Sequence, residues 1–145
     1  MSDVLSLSQI RLPGTARTKD DAIREAGQLL VDAGAVTPSY IDSMFDRERS
    51  VSTYMGNYLA IPHGTNESKE SIKRSALSVI RYLDPIDWDG NEVLFALGIA
   101  GYQGGHMDIL SRIAIVFSDT DEVDKLVAAR SAQELYDLLN AVNQE

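Results

Sequence analysis

Apolar positions recur at helical spacing in five stretches of the chain. Between residues 19 and 33, Ala22, Ile23, Ala26, Leu29, Leu30 and Ala33 mark one face of a helix that Gly34 stops, and Thr18 with Asp21 three positions on has the form of a capping box. Thr37-Pro38 supplies an N-cap and a first-turn proline for a shorter helix with the stripe Ile41, Met44 and Phe45, closed by Asp46-Arg47-Glu48-Arg49. From His106 a third helix carries Ile109, Leu110, Ile113, Val116 and Phe117. Asp119 with Glu122 opens a fourth, bearing Val123, Leu126 and Val127, and Ser131 with Glu134 a fifth, bearing Leu135, Leu138, Leu139 and Val142.

Shorter apolar runs between these helices predict strands. Residues 4–12 alternate loosely and end at Pro13-Gly14, residues 58–61 stop at Pro62, which has no amide hydrogen to continue a ladder, and residues 76–82 end before Asp84-Pro85. Residues 67–74 suit a turn or two of helix. Over 92–102 the run is nearly continuous, from Val93 to Ala100, which predicts a strand buried on both faces in the middle of a sheet, broken by Gly101 and Gly104-Gly105. Interleaved strands and helices with no internal repeat and no linker predict a single α/β domain over residues 1–145, bordering on α+β, in which helices flank the sheet.

Composition narrows the functions open to such a domain. A chain of 145 residues with 44% apolar and 24% charged positions suits one compact core. Thirteen basic against 22 acidic residues give a net charge of −9, whose field repels nucleic acid and anionic lipid. The absence of cysteine removes disulfides, thiol nucleophiles and thiolate metal ligands together. Met-Ser-Asp-Val-Leu-Ser-Leu at the start has no basic region followed by an apolar run, and no window approaches the ~18 apolar residues of a membrane span, so the expected address is the cytoplasm, without membrane insertion.

The two histidines stand where a predicted strand gives way to a glycine-marked loop, His63 before Gly64 and His106 after Gly104-Gly105. With an ordinary pKa of about 6.5, imidazole is mostly neutral and nucleophilic near pH 7, as attack on phosphorus requires. In Ala60-Ile61-Pro62-His63-Gly64-Thr65 the proline fixes the strand end, Gly64 lets backbone approach the ring, and Thr65 offers an amide and a hydroxyl, a turn suited to an anion. Arg47 and Arg49 are the nearest upstream cations for phosphoryl oxygens. The competing readings are a His63 packed beside Pro62, a His106 capping a helix, and arginines on a solvated helix end whose charge suits the C-terminal dipole. At a helix N-terminus His106 should stay neutral and act as a hydrogen-bond donor, not as an acceptor of phosphate. No phosphate-binding glycine loop with Lys, no His-Glu-x-x-His and no Gly-x-Ser-x-Gly is present, and the spacing of histidines and carboxylates has no metal-ligand signature, so neither a metal nor a cofactor is expected.

Asp46-Arg47-Glu48, Tyr54-Met55-Gly56 and Leu59-Ala60-Ile61-Pro62-His63-Gly64-Thr65 together resemble the active-site block of mannitol-type enzyme IIA domains of the bacterial phosphoenolpyruvate-dependent sugar phosphotransferase system. Leu97-Gly98-Ile99-Ala100 with His106 resembles the family's second histidine segment, and the resemblance runs through the C-terminal helices. It implies a mixed sheet flanked by helices and a monomeric phosphocarrier in which His63 receives a phosphoryl group from the phosphocarrier HPr. That group then passes to the enzyme IIB (IIBC) component for mannitol uptake. His106 and Arg47 would line the site and Gly64 and Thr65 would support the phosphoryl group. The fructose-type and nitrogen-regulatory relatives share a similar Pro-His, which leaves a fructose carrier or a regulatory phospho-switch as alternatives. This chain departs from the family at Asn57, where a carboxylate is common, and in its glycine-rich Gly104-Gly105 segment.

Overall fold

The structure is a computed structural model that describes residues 4–65, 70–102 and 106–140, with His106 described in its backbone only. The strands are β1 (Ile10–Arg11), β2 (Tyr54–Gly56), β3 (Leu59–Ala60), β4 (Ala76–Trp88) and β5 (Asn91–Ala100), and the helices are α1 (Lys19–Asp32), α2 (Ser39–Ser50), α3 (His106–Phe117), α4 (Thr120–Ala128) and α5 (Ala132–Leu139). They form one five-stranded mixed sheet in the order β1-β4-β5-β3-β2. β1 runs parallel to β4 and β3 parallel to β5, while β4 pairs antiparallel with β5 and β2 with β3.

Local chemistry accounts for the helix starts. Thr18, Asp119 and Ser131 stand in extended conformation and accept from the amides of Asp21, Asp121 and Glu134, satisfying donors that the first turn leaves unpaired. α2 starts where Thr37-Pro38 predicts, but the cap position is Pro38 and has no side-chain cap bond, the Thr37 hydroxyl pairing instead with that of Ser39 (2.8 Å). The part of the fifth helix predicted at Val142 lies outside the described residues, as does the 67–69 part of the turn predicted over 67–74.

β5 occupies the middle of the sheet, as its unbroken apolar run requires. One face of the sheet packs Leu77, Val79, Phe95, Leu97 and Ile99 against α3, α4 and α5. The other packs Ala76, Ile80, Tyr82, Ala96 and Ala100 against α1 and α2. Gly98 sits where α1 comes closest: a Cβ there would lie 2.5 Å from Ser78 Oγ and 3.1 Å from the Ala26 carbonyl.

The strand expectations need three corrections. Within residues 4–12 only Ile10–Arg11 is strand, preceded by a 3-10 turn over Leu7–Gln9. The buried Gln9 side-chain amide donates to the carbonyls of Val4 (2.9 Å) and Leu77 (2.7 Å), and the Leu77 amide donates to the Val4 carbonyl (2.8 Å), so this stretch is held to β4 by bonds outside a regular ladder. β4 does not end before Asp84-Pro85 but continues to Trp88, with its register to β5 shifting between Arg81 and Ile86. Pro85 lies in that irregular stretch, where no ladder bond requires its missing amide hydrogen. β2 was not anticipated at all.

Glu25 fastens α1 to the sheet. Its carboxylate accepts from the Thr15 amide (2.9 Å) and hydroxyl (2.8 Å), from Arg11 (2.9 Å) and from the Tyr82 hydroxyl (2.8 Å). Burial would raise its pKa, but these donors, the Thr15 amide foremost, together bring it from 4.5 down to about 2. A folded-state value below the unfolded one means that the stabilisation is full above pH 4.5 and is lost as pH falls toward 2. Glu25→Gln should therefore lower unfolding free energy at pH 7 by on the order of 2 kcal/mol, allowing for solvent screening. In urea titrations the gap from the parent should narrow from pH 4.5 downward. A gap that stays constant to pH 3 would show that Glu25 acts by shape alone.

Candidate functional site

Because β3 and β5 are parallel, their carboxyl ends open at the same edge of the sheet. His63 lies just past the end of β3 and bridges to Ile99 near the end of β5. The Ile99 amide donates to the Pro62 carbonyl (3.1 Å), so the proline ends the strand without freeing the chain. α3 begins at His106 on the path leading from β5, which brings the backbone of the second histidine to the same end of the sheet. The His106 side chain and Gly104-Gly105 lie outside the described residues.

The ring of His63 is half-buried, and its Nδ1 lies 2.8 Å from the Ile61 carbonyl. A carbonyl only accepts, so Nδ1 carries the proton and, in the neutral ring, the lone pair belongs to Nε2.

Helix α2 holds the segment after the ring. Tyr40, Ser43 and Arg47, spaced three and four apart, share one stripe. The buried Tyr40 hydroxyl donates to the Ile99 carbonyl (2.7 Å) and accepts from the Gly64 amide (2.8 Å). Burial pushes its pKa up to about 12, against a smaller opposing pull from the Gly64 amide, so it stays a neutral bridge. Ser43 Oγ accepts from the Thr65 amide (3.1 Å) and pairs with the Thr65 hydroxyl (3.0 Å). The turn expected to offer the amides of Gly64 and Thr65 to an anion has thus committed both to side chains of α2.

Arg47 is half-buried, one turn beyond Ser43, and donates to the Val51 carbonyl (2.8 Å). Arg49 is exposed and paired with Asp46 three residues back. Only Arg47 shares the stripe that faces the His63 loop.

Sequence reading missed Tyr40, Ser43, Glu48 and Thr53. The first two were marked by their spacing from Arg47 around the core position Met44. The departure at Asn57 finds its reason in the β2–β3 turn, where Asn57 (φ 49°) and Tyr58 (φ 69°) take the left-handed conformation. The Asn57 amide donates to the Phe117 carbonyl (2.7 Å), one of the acceptors that the last turn of α3 leaves unpaired. A carboxylate there would have no proton to give and would face the negative end of the helix. Between this hairpin and α3 runs an apolar groove of about 280 Å³ lined by Met55, Leu59, Ile61, Leu110, Ile113 and Phe117.

Among the described residues no group of His, Asp and Glu is placed to hold a metal ion, and no helix is long and apolar enough to cross a membrane.

Residues 3–142 match the family described as phosphoenolpyruvate-dependent sugar phosphotransferase system, EIIA 2. The chain belongs to that family. This EIIA 2 chain is 51% identical over 141 residues to the mannitol-specific phosphotransferase enzyme IIA component of Halalkalibacterium halodurans, covering 97% of each. Its fold is similar to enzyme IIA in the complex of mannitol enzyme IIA with phosphorylated enzyme IIB from Escherichia coli, with a TM-score of 0.86 and 30% identity over 93% of this chain and 96% of that one. It is also similar to the nitrogen regulatory protein IIA-Ntr from Neisseria meningitidis, with a TM-score of 0.81 and 29% identity over 94% and 96% of the two chains. The EIIA 2 fold therefore spans mannitol and regulatory relatives.

Proposed function

We propose that this enzyme IIA is a cytoplasmic phosphocarrier that accepts a phosphoryl group from phosphorylated HPr on Nε2 of His63 and passes it to enzyme IIB for mannitol uptake. The observation that carries this reading is the bond from Nδ1 to the Ile61 carbonyl, which puts the lone pair of the neutral ring on Nε2. In the first step the N–P bond on the HPr phosphohistidine breaks, its electron pair returns to the donor ring, and a new bond forms from His63 Nε2 to phosphorus. The second step repeats this exchange toward enzyme IIB.

Catalysis is then a matter of positioning and charge. Arg47 neutralises phosphoryl oxygens in the transition state, and His106, at the positive end of α3, assists as a donor. Gly64 and Thr65 contribute by anchoring the loop to α2. The protein works as a single domain over residues 1–145, as a monomer and without a cofactor. The apolar groove beside the hairpin suits a protein partner, and neither step brings the sugar to this chain.

A mannitol role is supported by the 51% identity to a mannitol-specific relative. The likeness to IIA-Ntr at 29% identity supports the second reading, a regulatory phospho-switch, and a fructose carrier is the third. With phosphoenolpyruvate, enzyme I and HPr the protein should gain one acid-labile phosphoryl group and lose it rapidly to purified mannitol enzyme IIB. Discharge to a fructose enzyme IIB instead would reassign the sugar, and a phosphoprotein that discharges to neither would favour the switch.

A further inference from the structure

We propose that Glu48 is a positioning residue for the acceptor histidine, fixing through Thr53 and Ile61 which ring nitrogen of His63 is left to take the phosphoryl group. This rests on His63 being the acceptor. Glu48 follows Arg47 on α2 but turns inward, and its side chain is 3% exposed. Oε2 accepts from the Thr53 amide (2.8 Å) and from the Trp88 indole (3.1 Å), Oε1 accepts from the Thr53 hydroxyl (2.5 Å), and the Lys19 ammonium stands 3.8 Å away. A buried carboxylate of this kind seldom adds net stability over apolar packing, because desolvation consumes much of what its partners return. What it adds is geometry.

That geometry is passed on in two further bonds. With its amide and hydroxyl held by Glu48, Thr53 presents its carbonyl to the Ile61 amide (3.1 Å), just outside the β2–β3 pairing of Tyr54 with Ala60. Ile61, fixed at its amide, presents its own carbonyl to His63 Nδ1 (2.8 Å). Glu48 thus sets the chain ahead of the ring, while Tyr40 sets the chain after it through Gly64. The competing account is that Glu48 merely pins the loop between α2 and β2. Losing a plain anchor would lower stability and leave the ring proton where it is.

The ring proton can be read directly. With ¹⁵N-labelled histidine, the nitrogen shifts of His63 above its pKa report which nitrogen is protonated, and the parent should show Nδ1–H. Glu48→Gln removes the charge and leaves one acceptor oxygen where the carboxylate has two, so the Thr53 amide, the Thr53 hydroxyl and the Trp88 indole can no longer all donate to it. The substitution should bring in the Nε2–H form and slow phosphoryl acceptance about tenfold or more, given that a displacement of about 1 Å costs on the order of a hundredfold. Thr53→Val loses only the hydroxyl contact and should show a weaker form of the same change, with Thr53→Ser restoring the parent. This pair decides the matter if Glu48→Gln does not fold. Tyr40→Phe, acting after the ring, should slow transfer and keep Nδ1–H. Folded Glu48→Gln and Thr53→Val proteins with the parent's tautomer and rate would overturn the relay, as would a tautomer that moves in Tyr40→Phe and not in Glu48→Gln. Phosphate found away from His63 in the parent would sink the acceptor assignment, whereas the ring-proton measurement tests the relay on its own.

Discussion

His63→Ala should fold and hold no phosphate. The half-buried ring sits just past β3 with its Nδ1 on the Ile61 carbonyl, and the backbone around it is held by other groups: Ile61 by Thr53, Pro62 by Ile99, Gly64 by Tyr40 and Thr65 by Ser43. Truncation should therefore cost about 1 kcal/mol of stability, the scale of one hydrogen bond and some partial packing. Chemistry is another matter, because the nucleophilic nitrogen is gone and no cysteine can replace it. After incubation with phosphoenolpyruvate, enzyme I and HPr, intact-mass measurement should find the variant at its unmodified mass while the parent gains one phosphoryl group. A variant charged as fully as the parent would transfer the acceptor role elsewhere, with His106 the first residue to examine.

Arg47→Ala should slow acceptance from HPr by about a hundredfold, the usual cost of removing one donor that acts on transition-state charge. Arg49→Ala should change it less than about threefold, since an exposed arginine paired with Asp46 is solvated and screened. The comparison is sharp because the two side chains are two positions apart on one helix and share its charge environment, yet only Arg47 continues the stripe of Tyr40 and Ser43. Stability should hardly respond in either case: the carbonyl of the exposed Val51, released by Arg47, can turn to water. Single-turnover transfer from phosphorylated HPr gives both rates. Equal and small losses would return Arg47 to the role of a solvated helix end.

What the sequence disclosed follows the range of the forces involved. α1 was legible because its Thr18 cap and apolar stripe lie within one segment, and β5 because burial on both faces leaves an unbroken apolar run. β4 was cut short at Pro85 because the tolerance for that proline comes from a register shift against β5, a matter of tertiary context. β2 escaped because its burial is partial and its turn places a bulky Tyr58 in a conformation that sequence rules reserve for glycine or asparagine. In the candidate site His63, Arg47 and Arg49 stood out by residue type, and only the family resemblance singled out Arg47 from Arg49. Tyr40 and Glu48 did not stand out, because each acts on backbone groups that only the folded chain brings within reach.

The commitment of the Gly64 and Thr65 amides to Tyr40 and Ser43 bears on how a carrier of this kind keeps its cargo exchangeable. An amide aimed at phosphate would add about 1.5–3 kcal/mol to the bound state, and two would sink the phosphoprotein by more than about a hundredfold relative to its partners. With both amides turned inward, a phosphoryl group on His63 would draw on neither, and its N–P bond would keep its thermodynamic drive. On the proposed reading the charged protein would then lie near level with its donor and its acceptor, and the direction of flow would be set by supply and demand at the two ends of the relay.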